Sequence, residues 1–303
     1  MPWHITTRIE WPTLWLILAT WATWLLSTTV LAGHSVLLAV PVTAVVIALY
    51  SSLQHEVIHG HPTPWAGLNA ALVAPALNLA IPFLRFRDTH IAHHRDALLT
   101  DPYDDPESNY LDAADWARLP LPVRGLMRAN NTLLGRLAFG PIIAQYLFMA
   151  SDLRAIRAGN RAVAAGWLWH IPAVAAVLIW VWASAMPVWA YVLSAYLAIS
   201  ILKIRTFAEH QAHELSRGRT VVIEDKGPLA FLFLNNNYHV VHHMHPRLPW
   251  YALPARFETA RDRYLELNDG YRFGTYGDLF RRYFLRAKDP VAHPLWRRSN
   301  APD

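Results

Sequence analysis

The sequence concentrates imidazole. His55, His59 and His61 stand in HEVIHGH, His90, His93 and His94 in HIAHH, and His239, His242 and His243 in HVVHH. His210 and His213 form a looser pair in EHQAHE, and with His245 these windows hold 12 of the 16 histidines. Crowded neutral imidazoles want hydrogen-bond partners, and crowded charged ones repel. A metal ion removes both problems, and imidazole is the commonest metal ligand. On a helix, the i, i+4 and i, i+3, i+4 spacings put each cluster on one face. One ion takes about four to six ligands, so eight well-spaced imidazoles, with His210 as a ninth, point to two ions held close together.

Composition narrows the chemistry. The chain of 303 residues has no cysteine, which excludes disulfides, thiolate–metal sites, iron–sulfur clusters and cysteine nucleophiles. Hydrophobic residues make up 54% and charged residues only 16%, too apolar for an ordinary soluble domain. Fourteen tryptophans suit a membrane–water interface. Trp15, Trp180, Trp182 and Trp189 read as interface or lipid contacts. The net charge of +5 is not arranged as a nucleic-acid surface, since no basic stretch is interleaved with a nucleic-acid motif. No nucleic-acid partner is expected. The N-terminal MPWHITTRIEW does not read as a cleavable signal.

The elements that must position the histidines follow from the uncharged runs. Trp11 to His55 carries no formal charge, which is about two bilayer crossings at roughly 20 residues each. Residues 32–35 form the natural turn between them. Ala162 to Leu202 is a second such run, broken around Ser184–Pro187. The reading is an all-α membrane protein with four transmembrane helices in two hairpins, at 12–32, 36–54, 164–184 and 187–205. A cytoplasmic helical cap, 55–160 and 206–303, holds the dimetal site, and 1–303 forms a single domain. Arg8, Arg154, Arg157, Arg161, Lys203 and Arg205 flank the spans and neither turn carries Lys or Arg, so the turns face outward and both termini the cytoplasm. The apolar run 64–84 must lie in the interface or re-enter, because a full crossing would separate the first two clusters by roughly 30 Å. Pro75 and Pro82 would help break it. Residues 133–149, with Arg136, Gly140 and Pro141, invite the same caution. From Pro254 onward the chain reads as an amphipathic helix with a basic tail.

HxxxH, then HxxHH, then HxxHH, set between two membrane hairpins, resembles the membrane fatty acid desaturase and hydroxylase superfamily across roughly Gln54 to Trp250. THIAHHRD and DPESNY are similar to stretches of bacterial acyl-chain desaturases. The resemblance implies two non-haem irons, dioxygen as co-substrate and hydrogen abstraction from an unactivated C–H bond, in a bacterial inner membrane. It implies as ligands His55, His59, His90, His93, His94, His210, His239, His242 and His243. His61, His213 and His245 exceed that set and could be ligands or polar neighbours. Glu56, Asp96, Asp101, Asp104, Asp105, Glu107, Glu209 and Glu214 flank the clusters, and some would accept the second N–H of a ligating ring. His4, His34, His170 and His293 receive no role.

The product stays open at this stage. Desaturation, hydroxylation and decarboxylation of a fatty acid to a terminal alkene all fit such boxes. Residues 55–59 also spell HExxH, the zinc-protease helix in which Glu56 would be the general base. A metal transporter or store would want polar residues within the spans, which have almost none. Oxidation by dioxygen needs two further electrons, and the chain has no GxGxxG fingerprint. A separate ferredoxin, rubredoxin or haem protein with its reductase is therefore expected, attracted by a basic rim. The substrate should be a lipid or acyl chain of about ten carbons or more, gaining roughly 0.8 kcal/mol per buried CH₂. Its polar end is expected near Arg85 and Arg87.

Overall fold

A computed structural model describes residues 8–297. The chain is almost wholly helical. Helix α1 (Trp11–Leu26) runs through a π-turn at Ser27–Leu31 into α2 (Ala32–His34). Ser35 ends that run in an extended conformation and caps the next helix, its Oγ accepting from Leu38 N. Helix α3 (Val36–Ile58) then returns, antiparallel to the first. The second pair is α9 (Arg161–Ala183), capped by Asn160, and α10 (Val188–Ala208), which starts at Pro187. The predicted spans at 12–32, 36–54, 164–184 and 187–205 all lie on these helices, give or take a turn. Trp15, Trp182 and Trp189 are 62%, 80% and 65% exposed, as lipid- or interface-facing rings would be. Trp180, less exposed at 38%, donates to Thr28 Oγ1.

Between the pairs lie α4 (Ala66–Leu72), α5 (Phe83–His93), α6 (Ala113–Arg118), α7 (Leu121–Asn130) and α8 (Leu133–Arg157). Helix α8 makes a fifth helix long and apolar enough to cross a bilayer, beside Trp11–His34, α3, α9 and α10. Arg136 and Pro141 do not break it. The Arg136 side chain turns inward onto Asn109 Oδ1, Asn130 O and Asn131 Oδ1. Gly140 makes room for it, since a Cβ there would stand 3.0 Å from Arg136 Cδ. After α10 the chain forms short elements: α11 (Pro228–Leu232), α12 (His239–Met244), α13 (Leu253–Glu258), α14 (Arg261–Leu267) and α15 (Tyr276–Tyr283). Strands β1 (Val222–Ile223) and β2 (Arg272–Phe273) pair in parallel, Val222 opposite Arg272. The expected long amphipathic helix from Pro254 is thus several short pieces, interrupted at Thr259–Ala260 and at Asn268–Tyr271.

The apolar run 64–84 does not form one continuous helix, as a re-entrant or interfacial segment would not. After α4 the backbone is irregular from 73 to 82, with Leu79 at φ +61°. Six of its carbonyls accept side-chain donors from the long helices. Trp21 Nε1 donates to Leu72 O at 2.9 Å, Gln54 Nε2 to Val73 O at 3.0 Å and Tyr50 OH to Pro75 O at 2.9 Å. Tyr191 OH donates to Leu77 O at 2.9 Å, His170 Nε2 to Leu79 O at 3.1 Å and Gln145 Nε2 to Ala80 O at 2.9 Å. These donors come from α1, α3, α8, α9 and α10. Irregular backbone survives among apolar helices only where protein groups satisfy it. Tyr191 also accepts from Trp24 Nε1 at 3.1 Å. Tyr191→Phe strands both partners in a fully buried place, so we expect a loss of about 1–3 kcal/mol, read as a lower midpoint of thermal unfolding in detergent.

Candidate metal centre

The helices end where the histidines begin. His55 lies in the last turn of α3 and His59 is its C-cap. His90 and His93 lie in the last turn of α5, and His94 caps it. His210 follows α10 and is fixed by a backbone bridge to Thr220. His239, His242 and His243 are three of the six residues of α12. The fold gathers these nine into two groups: His55, His59, His90, His94 and His242, and then His93, His210, His239 and His243. Within each group the ring nitrogens lie within 4.8 Å of one another. Helical pitch explains the partition. In both HxxHH segments the i, i+4 pair serves one group and the i+3 residue, turned away from i+4 by about 100°, serves the other. The rings of His94 and His243 stack at 4.4 Å and join the two groups.

The tautomers point to cations. His93 Nδ1–H donates to Asp105 Oδ1 at 2.8 Å, His90 Nδ1–H to Glu107 Oε1 at 3.0 Å and His210 Nδ1–H to Arg219 O at 3.3 Å. His239 Nδ1–H faces Asn236 Oδ1 at 3.2 Å, because the Asn236 amide donates to Glu209 Oε1. Each of these rings therefore turns a bare Nε2 inward. Those Nε2 atoms meet at 2.9 Å (His93–His210), 3.0 Å (His210–His239) and 3.1 Å (His239–His243). In the other group the contacts are 3.1 Å (His59–His90), 3.0 Å (His90–His94) and 3.1 Å (His94–His242). Buried His55 Nε2 has no hydrogen-bond partner. Facing lone pairs repel unless a cation lies between them, so the donor set fits two metal ions.

Burial and then neighbouring imidazoles push the His94, His210, His239 and His242 rings below their ordinary range, so they stay neutral and able to ligate. Burial also lowers His90, against the pull of Glu107. His93 differs. Burial lowers it too, but the carboxylates of Glu107, Asp105 and Glu209 prevail and hold it at about 9. A single proton on that ring can bridge one pair of nitrogens; it cannot serve nine. Burial would raise Glu107, but His93 and His90 beside it hold it far below the usual carboxylate range.

The remaining candidates lie outside the groups. His61 bonds Glu10 Oε1 at 2.8 Å, His213 lies 3.2 Å from Asp269, and His245 lies 3.1 Å from Tyr264 OH. Glu56 accepts from Trp250 N through Oε2 at 3.1 Å, and its Oε1 lies 3.8 Å from His55 Nδ1, the ring edge away from the Nε2 cluster. Glu209 pairs with Arg205 at 3.0 Å and lies 3.8 Å from His239 Nδ1. The Asp96 side chain and His4 lie outside the described residues. Asp101 and Asp104 sit in a turn, Asp101 Oδ1 accepting from Tyr103 N and Asp104 N, and Glu214 is exposed. His34 bonds Val30 O, and His170 holds the irregular segment after α4. Arg85 is gripped by Asp152 through two bonds, 2.8 and 2.9 Å, and Arg87 pairs with Asp88. Sequence reasoning missed Asn236. No local spacing could reveal it, since its role depends on Glu209 fixing the amide's orientation.

Compared with known families, residues 31–275 match the fatty acid desaturase family. The chain belongs to this family. It is an integral membrane protein and an oxidoreductase of the desaturase and hydroxylase type. Among curated proteins no significant match is found.

Proposed function

We propose that the chain is a di-iron oxidase that desaturates an aliphatic acyl chain drawn from the bilayer. The two histidine groups, five rings and four, at the ends of apolar helices carry this reading. Two irons held there would activate dioxygen against an unactivated C–H bond. The balance is one dioxygen, two electrons and two protons consumed, two hydrogens removed from the chain, and two waters formed. The protein's own part is to keep the rings in place. Asp105, Glu107 and the Arg219 carbonyl hold a proton on the outer nitrogen of His93, His90 and His210, which keeps each inner lone pair available. Nearly complete burial of His55, His90, His93, His239 and His242 excludes bulk water. A headgroup carboxylate or phosphate would meet Arg87, 42% exposed, more readily than Arg85, which is committed to Asp152.

Four crossings fit this site better than five. His93 precedes α8 and His210 follows α10, yet they share one group. Three apolar helices stand between them, and an odd number of crossings would put them on opposite faces. The Gly33 and Ala185 turns adjoin, a Cβ at Gly33 lying 3.6 Å from Ala185 Cβ, which makes α9 and α10 a hairpin beside the first. Helix α8 has Arg136 near Asn109 at one end and Asp152 bound to Arg85 at the other, both on segments leading into the histidine groups. It would therefore lie along the cytoplasmic interface. The cysteine-free chain makes labelling simple. Arg95→Cys and Gly159→Cys should be protected in intact cells, and Ala185→Cys accessible. External labelling at position 159 with protection at 95 would make α8 a crossing.

The function is tested by mass spectrometry of lipids and hydrocarbons from cells with and without the protein. New double bonds in chains of about ten carbons or more are expected. Hydroxylated chains or terminal alkenes instead would keep the centre and change the product. Metal-dependent peptide cleavage without oxygen uptake would favour the HExxH protease.

A further inference from the structure

A chain of hydrogen bonds joins the protein surface to His93 through Asp105 and, beyond it, through residues that the proposed chemistry does not otherwise use. It starts at Trp296, which is partly exposed beside a surface hollow of about 470 Å³. The indole Nε1 donates to Asp101 Oδ2 at 2.7 Å, and the ring lies 5.4 Å from that of Tyr103. The backbone amides of Leu295 and Trp296 donate to His293 Nδ1 at 3.1 and 2.8 Å. That fixes the tautomer: His293 Nε2 carries the hydrogen and donates to Thr100 Oγ1 at 3.1 Å. Thr100 N donates in turn to Asp105 Oδ2 at 2.8 Å, and Asp105 Oδ1 accepts from His93 Nδ1 at 2.8 Å. His293 and Thr100 are 7% and 1% exposed, so the middle of this path is shielded from water. Its outer part lies beyond residues 31–275, the stretch that matches the family.

The placement needs a reason. The metal groups are buried, and electrons must reach them from outside. Electronic coupling decays more slowly along bonds and hydrogen bonds than across van der Waals gaps. The path from Trp296 to His93 contains only covalent bonds and hydrogen bonds, and ends on a ring of the four-histidine group. The C-terminal stretch is anchored where it must be, since Leu111 N donates to Val291 O and His293 N to Leu111 O, both at 2.9 Å. Arg219 stiffens the floor by donating to Leu99 O and His213 O.

We propose that Trp296, His293, Thr100 and Asp105 form the route by which electrons enter the metal centre. The donor is a one-electron carrier protein with an iron–sulfur or haem centre, seated over Trp296. Each reduced carrier gives one electron and leaves oxidised, one ferric ion becomes ferrous, and two such transfers serve each dioxygen. The proposal rests on the di-iron reading above.

The absence of cysteine allows a direct test. Arg297→Cys is labelled with a ruthenium polypyridyl photoreductant, and electron arrival at the diferric centre is followed by transient absorption after a laser flash. Thr100→Val removes the hydroxyl link and keeps the amide that holds Asp105. His293→Gln removes the imidazole by a second, independent change. Both should slow electron arrival several-fold in the labelled protein, with iron content and the resting absorption spectrum unchanged. Equal rates in the labelled parent and in either iron-replete variant would overturn the route. A labelled parent that takes up no iron would instead overturn the di-iron reading, and the route with it.

Discussion

Replacing His210 with alanine should abolish turnover and lower iron from the two ions per chain proposed above toward one. His210 lies outside the three histidine-box segments, yet its Nε2 stands 2.9 Å from that of His93 and 3.0 Å from that of His239. Without it the four-ring group keeps three imidazoles, and the ion there loses one of the four protein ligands it would have and is held less tightly. The fold should survive, because the bonds that fix this stretch are made by backbone. Residue 210 bridges Thr220 through the main chain, and Lys288 Nζ donates to the carbonyl oxygen of residue 210 at 2.8 Å. Elemental analysis of membrane-inserted protein, with oxygen uptake measured alongside, checks this. Two irons retained with full oxygen uptake would remove His210 from the centre, and one zinc with no iron in the unaltered protein would remove the centre itself.

Asp105→Asn should have the next largest effect. Both Asp105 oxygens accept. Oδ1 takes His93 Nδ1–H at 2.8 Å and Glu107 N–H at 2.9 Å, and Oδ2 takes Thr100 N–H at 2.8 Å. An amide in its place must point an NH₂ at one of these donors. The change is small in volume and large in chemistry: either His93 is released or the 100–107 turn opens. Loss of an outer partner of a ligating histidine typically costs about 10–100-fold in metal affinity or activity. An iron-binding titration reads the first and oxygen uptake the second. An unaltered affinity together with unaltered turnover would mean that His93 is oriented by something else.

Eight of the nine histidines were legible because helical spacing advertises them, and His210 through the family resemblance; the structure gathers all nine and none of His61, His213 or His245. The partition into five and four was also latent in the HxxHH spacing, since i and i+4 diverge from i+3. The helix α8 was harder. Arg136 looks like a break in an apolar run, and only Asn109, 27 residues away, together with nearby Asn131 turns it into an inward anchor. Pro75 and Pro82 announced that 64–84 is not a straight helix. They could not announce which donors cap its carbonyls, because Tyr191, His170 and Gln145 lie at least 65 residues away. The path through His293 was invisible for the same reason: Thr100 is 193 residues distant.

The capped carbonyls of the irregular segment after α4 set an order on the protein's own synthesis. Trp21, Tyr50 and Gln54 leave the ribosome before residues 72–80, so Leu72, Val73 and Pro75 find their donors at once. Leu77, Leu79 and Ala80 must wait for Tyr191, His170 and Gln145. Until the second hairpin has entered the bilayer, two of these six carbonyls, those of Leu77 and Leu79, stand without their donors among apolar helices. A chain stopped at Gly159 would keep Gln145 and lack the other two donors. Incomplete chains would thus carry exposed peptide groups within the membrane, a mark by which quality-control proteases could tell them from finished ones.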